Sequence, residues 1–350
     1  MKTKLVYVLT CAPDKHYIEQ AHISLYSARY HNPDAHIVLI VDQMTDTLFV
    51  GKRAELLKYV SEKIVVDVPA CFNVMQASRW IKTSVRNLIV GDFLFIDCDT
   101  IVTQSLIEVD YMDVEIGAVL DCHRPVSIFR AEEREELLLK AKKCGWNFND
   151  VEKYYSSGVL YVKDSNLTRN FYNEWHKNYL YTANLGVNID QISLEKTKQE
   201  LQIISDIDDV WNTIMFTRPS FVYDAKILHC ASLDNNVFLF SKRVLAYIYQ
   251  HGLTEYIKDS IINPSTTFLP YKKVDYKGLR LYKNICRITS AVRKYAKNID
   301  MSLSDLKIQS RFANIIYSCY KNRLYFIGTF LWIGYIRITG KYNPLEKYFN

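Results

Sequence analysis

The apolar run Phe93–Ile96 ends in Asp97-Cys98-Asp99. Carboxylates at the end of a buried strand are costly unless something positive meets them. Three chemistries fit such a pair: a divalent cation held by both acids, a structural ion pair, or the aspartyl nucleophile of a phosphatase. A strand period of two turns Asp97 and Asp99 to one face, as two oxygen ligands of Mn2+ or Mg2+ would be, with Cys98 directed into packing. Upstream, in "QASRWIKTSVRNLI", a helix places Arg79, Lys82 and Arg86 on one stripe and Ile81, Val85 and Leu88 on another. The basic stripe suits a diphosphate bridging the cation, with arginine as a fork and lysine as a point charge. A solvated helix face is the plain alternative. Arg79 and Lys82 are assigned to phosphate and Arg86 to structure.

Those residues need a scaffold, and the first 120 residues alternate short apolar runs with helical patterns. Strands are expected at Lys4–Thr10, Ala35–Val41, Lys63–Val68, Phe93–Cys98, Ile116–Asp121 and Gly158–Val162. Helices are expected at Tyr17–Tyr30, near Leu48–Tyr59, at Ala77–Ile89, over the charged segment 131–144, at Asn166–Tyr179 and around Asp190–Lys198. Near-continuous apolar strands between helices imply an α/β fold with a mostly parallel sheet covered on both faces. Ligands of such sheets lie beyond the carboxyl ends of the strands, where the two aspartates fall. The segment Arg218–His229 returns the chain to the sheet. After about residue 234 the pattern becomes helical, basic and rich in tyrosine, so a division into 1–235 and 236–350 is expected.

Composition narrows the setting. A chain of 350 residues with 49% hydrophobic content can bury a large core. Eight scattered cysteines without a Cys-x-x-Cys pair exclude a zinc ribbon and read as reduced thiols of a cytoplasmic protein. The apolar stretch Leu5–Leu9 is shorter than a signal-peptide core, so a buried first strand is preferred over a lipoprotein leader ending at Cys11. Residues 271–350 hold 16 basic and 4 acidic residues, a balance of +12, against 28 and 34 in the remainder, a balance of −6. That asymmetry suggests an anionic partner for the tail. Within it, Leu324–Ile338 is too short to span a bilayer but suits an interfacial helix at the cytoplasmic face of an anionic membrane, with a buried packing helix as the alternative. No zinc-finger, helix-turn-helix or RNA-recognition signature is present, so no nucleic acid is expected.

The order of motifs resembles the GT-A glycosyltransferases, most closely the family-8-like ones of bacterial surface-polysaccharide synthesis. The similarity runs over about residues 4–233: an opening strand and loop, the arginine-bearing helix, Asp-x-Asp, "YYSSGVLYV", "NIDQISLEK", "DDVWNTI" and "AKILHC". It implies a GT-A sheet, Mn2+ or Mg2+, a UDP-sugar donor, a glycan or lipid-linked acceptor, and retention of configuration. It further implies Asp97, Asp99 and His229 as metal ligands. Thr10, Cys11, Ala12, Asp14, Arg79, Lys82, Asp97, Cys98, Ser156, Ser157 and Gly158 are implied around the donor, and Asp190 and Gln191 near the reacting carbon. Two departures stand out. Ser156 occupies the place of the usual asparagine, and no Lys-Pro-Trp follows His229, leaving Lys242 or Arg243 as substitutes. Without the resemblance, His229 reads as a packed strand-end residue, Asp190 as a helix-start acid and Trp211 as a core anchor. A haloacid-dehalogenase-type phosphatase using Asp97 and a non-catalytic membrane-associated protein are the rival readings.

Overall fold

The structure, a computed structural model, describes residues 1–129, 131–214, 225–230 and 238–263. The strands are β1 (Lys4–Leu9), β2 (Ile37–Asp42), β3 (Glu62–Val66), β4 (Phe93–Ile96), β5 (Thr100–Val102), β6 (Ile116–Leu120), β7 (Tyr155–Val162), β8 (Ile204–Asp206), β9 (Thr213–Ile214) and β10 (Ile227–His229). The helices are α1 (Tyr17–His31), α2 (Gln43–Thr47), α3 (Val74–Ser84), α4 (Ala131–Lys143), α5 (Asn166–Asn184), α6 (Asp190–Leu201), α7 (Lys242–His251) and α8 (Glu255–Ile262). The fold is α/β, with a seven-stranded sheet ordered β3-β2-β1-β4-β7-β6-β8. Only β7 runs against its neighbours, β4 and β6.

Alternation along the strands builds two cores from one sheet. Leu5, Tyr7 and Leu9 of β1, with Leu94 and Ile96 of β4, pack on Ile18, Ala21 and Leu25 of α1. Val6 and Val8, with Phe93 and Phe95, face Ile81 and Val85 at α3 and Phe171, Tyr172 and Trp175 of α5. Edge strand β3 instead carries exposed Glu62 and Lys63, which discourage pairing with another chain. The connections place β2 and β4 on opposite sides of β1, so the order reverses between β1 and β4. That reversal opens a crevice at the carboxyl edge.

Local chemistry moved several element boundaries. Helix α3 starts three residues before the expected Ala77, because Asn73 and Gln76 form a reciprocal capping box. It gives way at Val85–Asn87 to a tighter 3-10 turn. The helix expected near Leu48–Tyr59 is a 3-10 helix over Gly51–Tyr59, opening where Gly51 takes a positive φ of 55°, and the short α2 precedes it. Of the segment 218–229 expected back at the sheet, residues 225–229 are described, and their strand β10 does not join the main sheet. Both edges of β4 are taken by β1 and β7, and β10 instead pairs with β5 and β9 in a separate three-stranded sheet.

Beyond the expected division at residue 235, α7 and α8 bury Val244, Leu245, Ile248, Ile257 and Ile261 with Ile23 of α1. Residue 235 itself and the interfacial segment Leu324–Ile338 lie outside the described residues. Among the described residues, no helix is long and apolar enough to cross a membrane.

Candidate active site

Asp97 does not continue β4. The strand stops at Ile96, and Asp97-Cys98-Asp99 turns the chain into β5, so the two acids converge through that turn rather than through a strand's alternation. The β5–β10 ladder opposes His229 to Thr100, and the Cys230 N–H donates to the Asp99 carbonyl at 2.9 Å. One ligand atom from each of Asp97, Asp99 and His229 lies within 4.8 Å of the others. Cys98 turns away, its thiol donating to the Val8 carbonyl at 3.3 Å.

Gly158, in the middle of β7, leaves the room this convergence needs. A Cβ there would lie 2.2 Å from His229 Cε1 and 3.1 Å from Asp97 Oδ2. His229 Nε2 is 3.3 Å from Asp99 Oδ1. Burial raises the Asp97 carboxyl, with Asp99 adding to it and Lys82 opposing. Burial works the same way on Asp99, but His229 outweighs it and holds that carboxyl below its usual range. Burial would lower the imidazole, yet Asp99 and Asp97 hold it above its usual range. Two carboxylates and an imidazole around one point form a donor set suited to Mn2+, and to Mg2+ through its oxygens. The residues therefore fit a divalent cation.

The expected basic stripe is present and divided in its duties. The Lys82 ammonium is buried and touches three acceptors: Asp97 at 3.3 Å, Asp190 at 3.2 Å and the Ser157 hydroxyl at 3.1 Å. Arg79 Nε lies 3.1 Å from the other Asp190 oxygen, with the arginine side chain one-third exposed. Burial alone would raise the Asp190 carboxyl, but Lys82 and Arg79 bring it down to about 2. Asp190 is thus an ion-pair member and not a helix cap, since Ile189 holds the cap position. The Gln191 side-chain amide donates to the Tyr155 carbonyl at 3.2 Å. Arg86 is wholly buried, donating to the Gly91 carbonyl at 2.9 Å and lying 3.7 Å from Asp164, a structural duty.

The loop after β1 borders the crevice on the other side. Thr10 donates to the Val74 carbonyl at 2.7 Å, and the Cys11 N–H donates to the Thr45 hydroxyl at 2.7 Å. The Cys11 thiol is folded back onto the Ala12 carbonyl at 3.2 Å, while Asp14 is exposed and paired with Lys15 at 3.0 Å. Lys242 and Arg243 open α7.

The "DDVWNTI" element pointed to Asn212 without its contacts, and Asp121 and His123 escaped the sequence reading. Asn212 stands between His229 and Ser156: its Oδ1 is 2.9 Å from His229 Nδ1, and its Nδ2 donates to the Ser156 hydroxyl at 3.0 Å. Asp121 follows β6 at the same edge, its carboxyl raised by burial with His229 and His123 opposing. His123, after a left-handed Cys122, anchors that turn by accepting the Ile214 N–H at 2.9 Å and facing Asp209 at 2.9 Å.

No protein-family profile and no curated protein matches the chain. Among solved structures, mouse xyloside xylosyltransferase 1 is 12% identical, with 66% of this chain and 98% of that one covered and a TM-score of 0.44. The glycosyltransferase GlyE of Streptococcus pneumoniae is 17% identical, with 76% of this chain and 63% of that one covered and a TM-score of 0.46. The galactosyltransferase LgtC, solved with donor and acceptor sugar analogues, is 13% identical, with 79% and 98% covered and a TM-score of 0.46. Each likeness is distant and one of fold.

Proposed function

We propose that the chain is a metal-dependent glycosyltransferase that moves a sugar from a UDP-sugar donor to a glycan or lipid-linked acceptor, with retention of configuration. The observation that carries the reading is the meeting of Asp97, Asp99 and His229 at the crevice between β1 and β4, with Asp190 beside them. When bound, a divalent cation supplies charge neutralisation to the departing diphosphate.

The chain's own groups do the rest. Asp97, Asp99 and His229 hold the cation, and the turn after β1 (Thr10 to Asp14) borders the nucleotide. Lys82, saturated by three acceptors, keeps Asp97 and Asp190 at a set separation. Arg79, partly open to solvent, offers its remaining N–H groups to phosphate oxygens as charge builds on them. Asp190 stays ionised near the reacting carbon and favours the positive charge that develops there; no covalent nucleophile is assigned. The basic, aromatic tail matches an acceptor carried on an anionic membrane, which agrees with a cytoplasmic protein at the inner face of that membrane.

Hydrolysis of a panel of nucleotide sugars, with and without Mn2+, tests the reading on wild type and Asp99→Asn. Mn2+-dependent release of UDP, lost in Asp99→Asn, is the expected result. Activity indifferent to metal, or none with any nucleotide sugar, overturns it. Phosphatase turnover abolished by Asp97→Asn would support the rival chemistry instead.

A further inference from the structure

His229 can ligate a cation only through a ring nitrogen that carries no proton, and its two nitrogens face different partners. Nε2 points at Asp99 Oδ1, 3.3 Å away, within the triad. Nδ1 meets Asn212 Oδ1 at 2.9 Å, an acceptor, so Nδ1 must carry the proton. Asn212 is itself held: its Nδ2 donates to Ser156 Oγ at 3.0 Å, and that oxygen also accepts the Gly158 N–H at 3.3 Å. The amide thus turns its NH2 end to the serine oxygen and its own oxygen to Nδ1. The reversed amide would present N–H to Nδ1, drive the proton to Nε2 and block the ligating position. All three side chains are buried, so water does not substitute for a lost partner.

We infer that Asn212 and Ser156 are positioning residues that fix His229 in the Nδ1–H tautomer and thereby reserve Nε2 for the cation. This rests on the reading of Asp97, Asp99 and His229 as cation ligands. It also gives a duty to the serine that stands where the resembling family has asparagine. Its hydroxyl is turned to the ligand's support, and the neighbouring Ser157 meets Lys82 instead.

The test combines Mn2+ titration, followed by the electron paramagnetic resonance of free Mn2+, with 15N spectra of the histidine rings in the metal-free protein at alkaline pH. Asn212→Leu, which removes the acceptor, is expected to weaken Mn2+ affinity about 10- to 100-fold and to redistribute the ring proton onto Nε2. Asn212→Asp, which keeps an acceptor at Nδ1, is expected to restore both. Ser156→Ala is expected to give a smaller loss with the same spectral change. Unchanged affinity together with an unchanged ring spectrum in folded Asn212→Leu overturns the inference; should that variant not fold, Ser156→Ala decides by the same readouts. A wild type that binds no Mn2+, or Asp99→Asn with wild-type affinity, overturns the site reading and the inference together. Weakened binding in Asp99→Asn alongside an unaffected Asn212→Leu overturns the inference alone.

Discussion

Gly158 has no side chain because His229 occupies the space one would need. Its φ is unexceptional, so the requirement is for room and not for an unusual backbone. Gly158→Ala should therefore push the imidazole off Asp99, abolish tight Mn2+ binding and cost about 1–3 kcal/mol of stability through overpacking. Mn2+ titration and urea unfolding check both effects, and a folded variant with native affinity would contradict the packing argument. At this scale the Asp-x-Asp pair and its basic helix were legible, because apolar runs and helical spacing are local patterns. The aspartates align through a turn and not through the strand alternation their spacing predicts. The contacts of Asn212 were illegible for a different reason. They join residues 17 and 56 positions away, and nothing local in "VWNTI" records a partner at that distance.

Among the elements, α1 carries a second histidine with another fate. His22 is buried between Tyr59, 5.8 Å away, and the charged groups Glu55, Lys58 and Lys258. Burial pulls its imidazole down to about 4, with Glu55 opposing and Lys58 and Lys258 adding to the effect. The unfolded chain then binds a proton that the folded chain refuses, so stability is complete above about pH 6.5 and falls as pH drops toward 4, by about 3 kcal/mol. His22→Leu should flatten that limb in urea unfolding across the window; parallel curves for the two proteins would exclude His22 as the cause. The longer elements β1, β2, β4, α1 and α5 were readable as apolar runs or helical stripes. Strands β5, β8 and β9, of three residues or fewer, are too short for any period to emerge.

For the whole molecule, charge is the feature that sequence alone already divides. The basic tail lies outside the described residues, and its attraction for a membrane rests on 16 basic against 4 acidic residues. Each basic side chain near an anionic surface contributes about 1 kcal/mol, a sum that salt erodes. The full chain should co-sediment with phosphatidylserine-containing liposomes and be released by salt, while a chain ending near Pro270 should remain in the supernatant. Equal sedimentation of both would remove the tail from the membrane hypothesis.

The separation of β10 from the main sheet also bears on how the site holds its shape. Asp97 leaves a seven-stranded sheet, whereas His229 belongs to a ladder of eight residues in three strands. The triad is a seam between two sheets of unequal size, and with fewer ladder bonds the smaller would be the softer side. A cation gripping both would act as a stitch, lending the minor sheet the rigidity of the major. Its affinity would then depend on substitutions at β5 or β9 that touch none of the three ligands, because loosening the soft side widens the range of separations the stitch must gather.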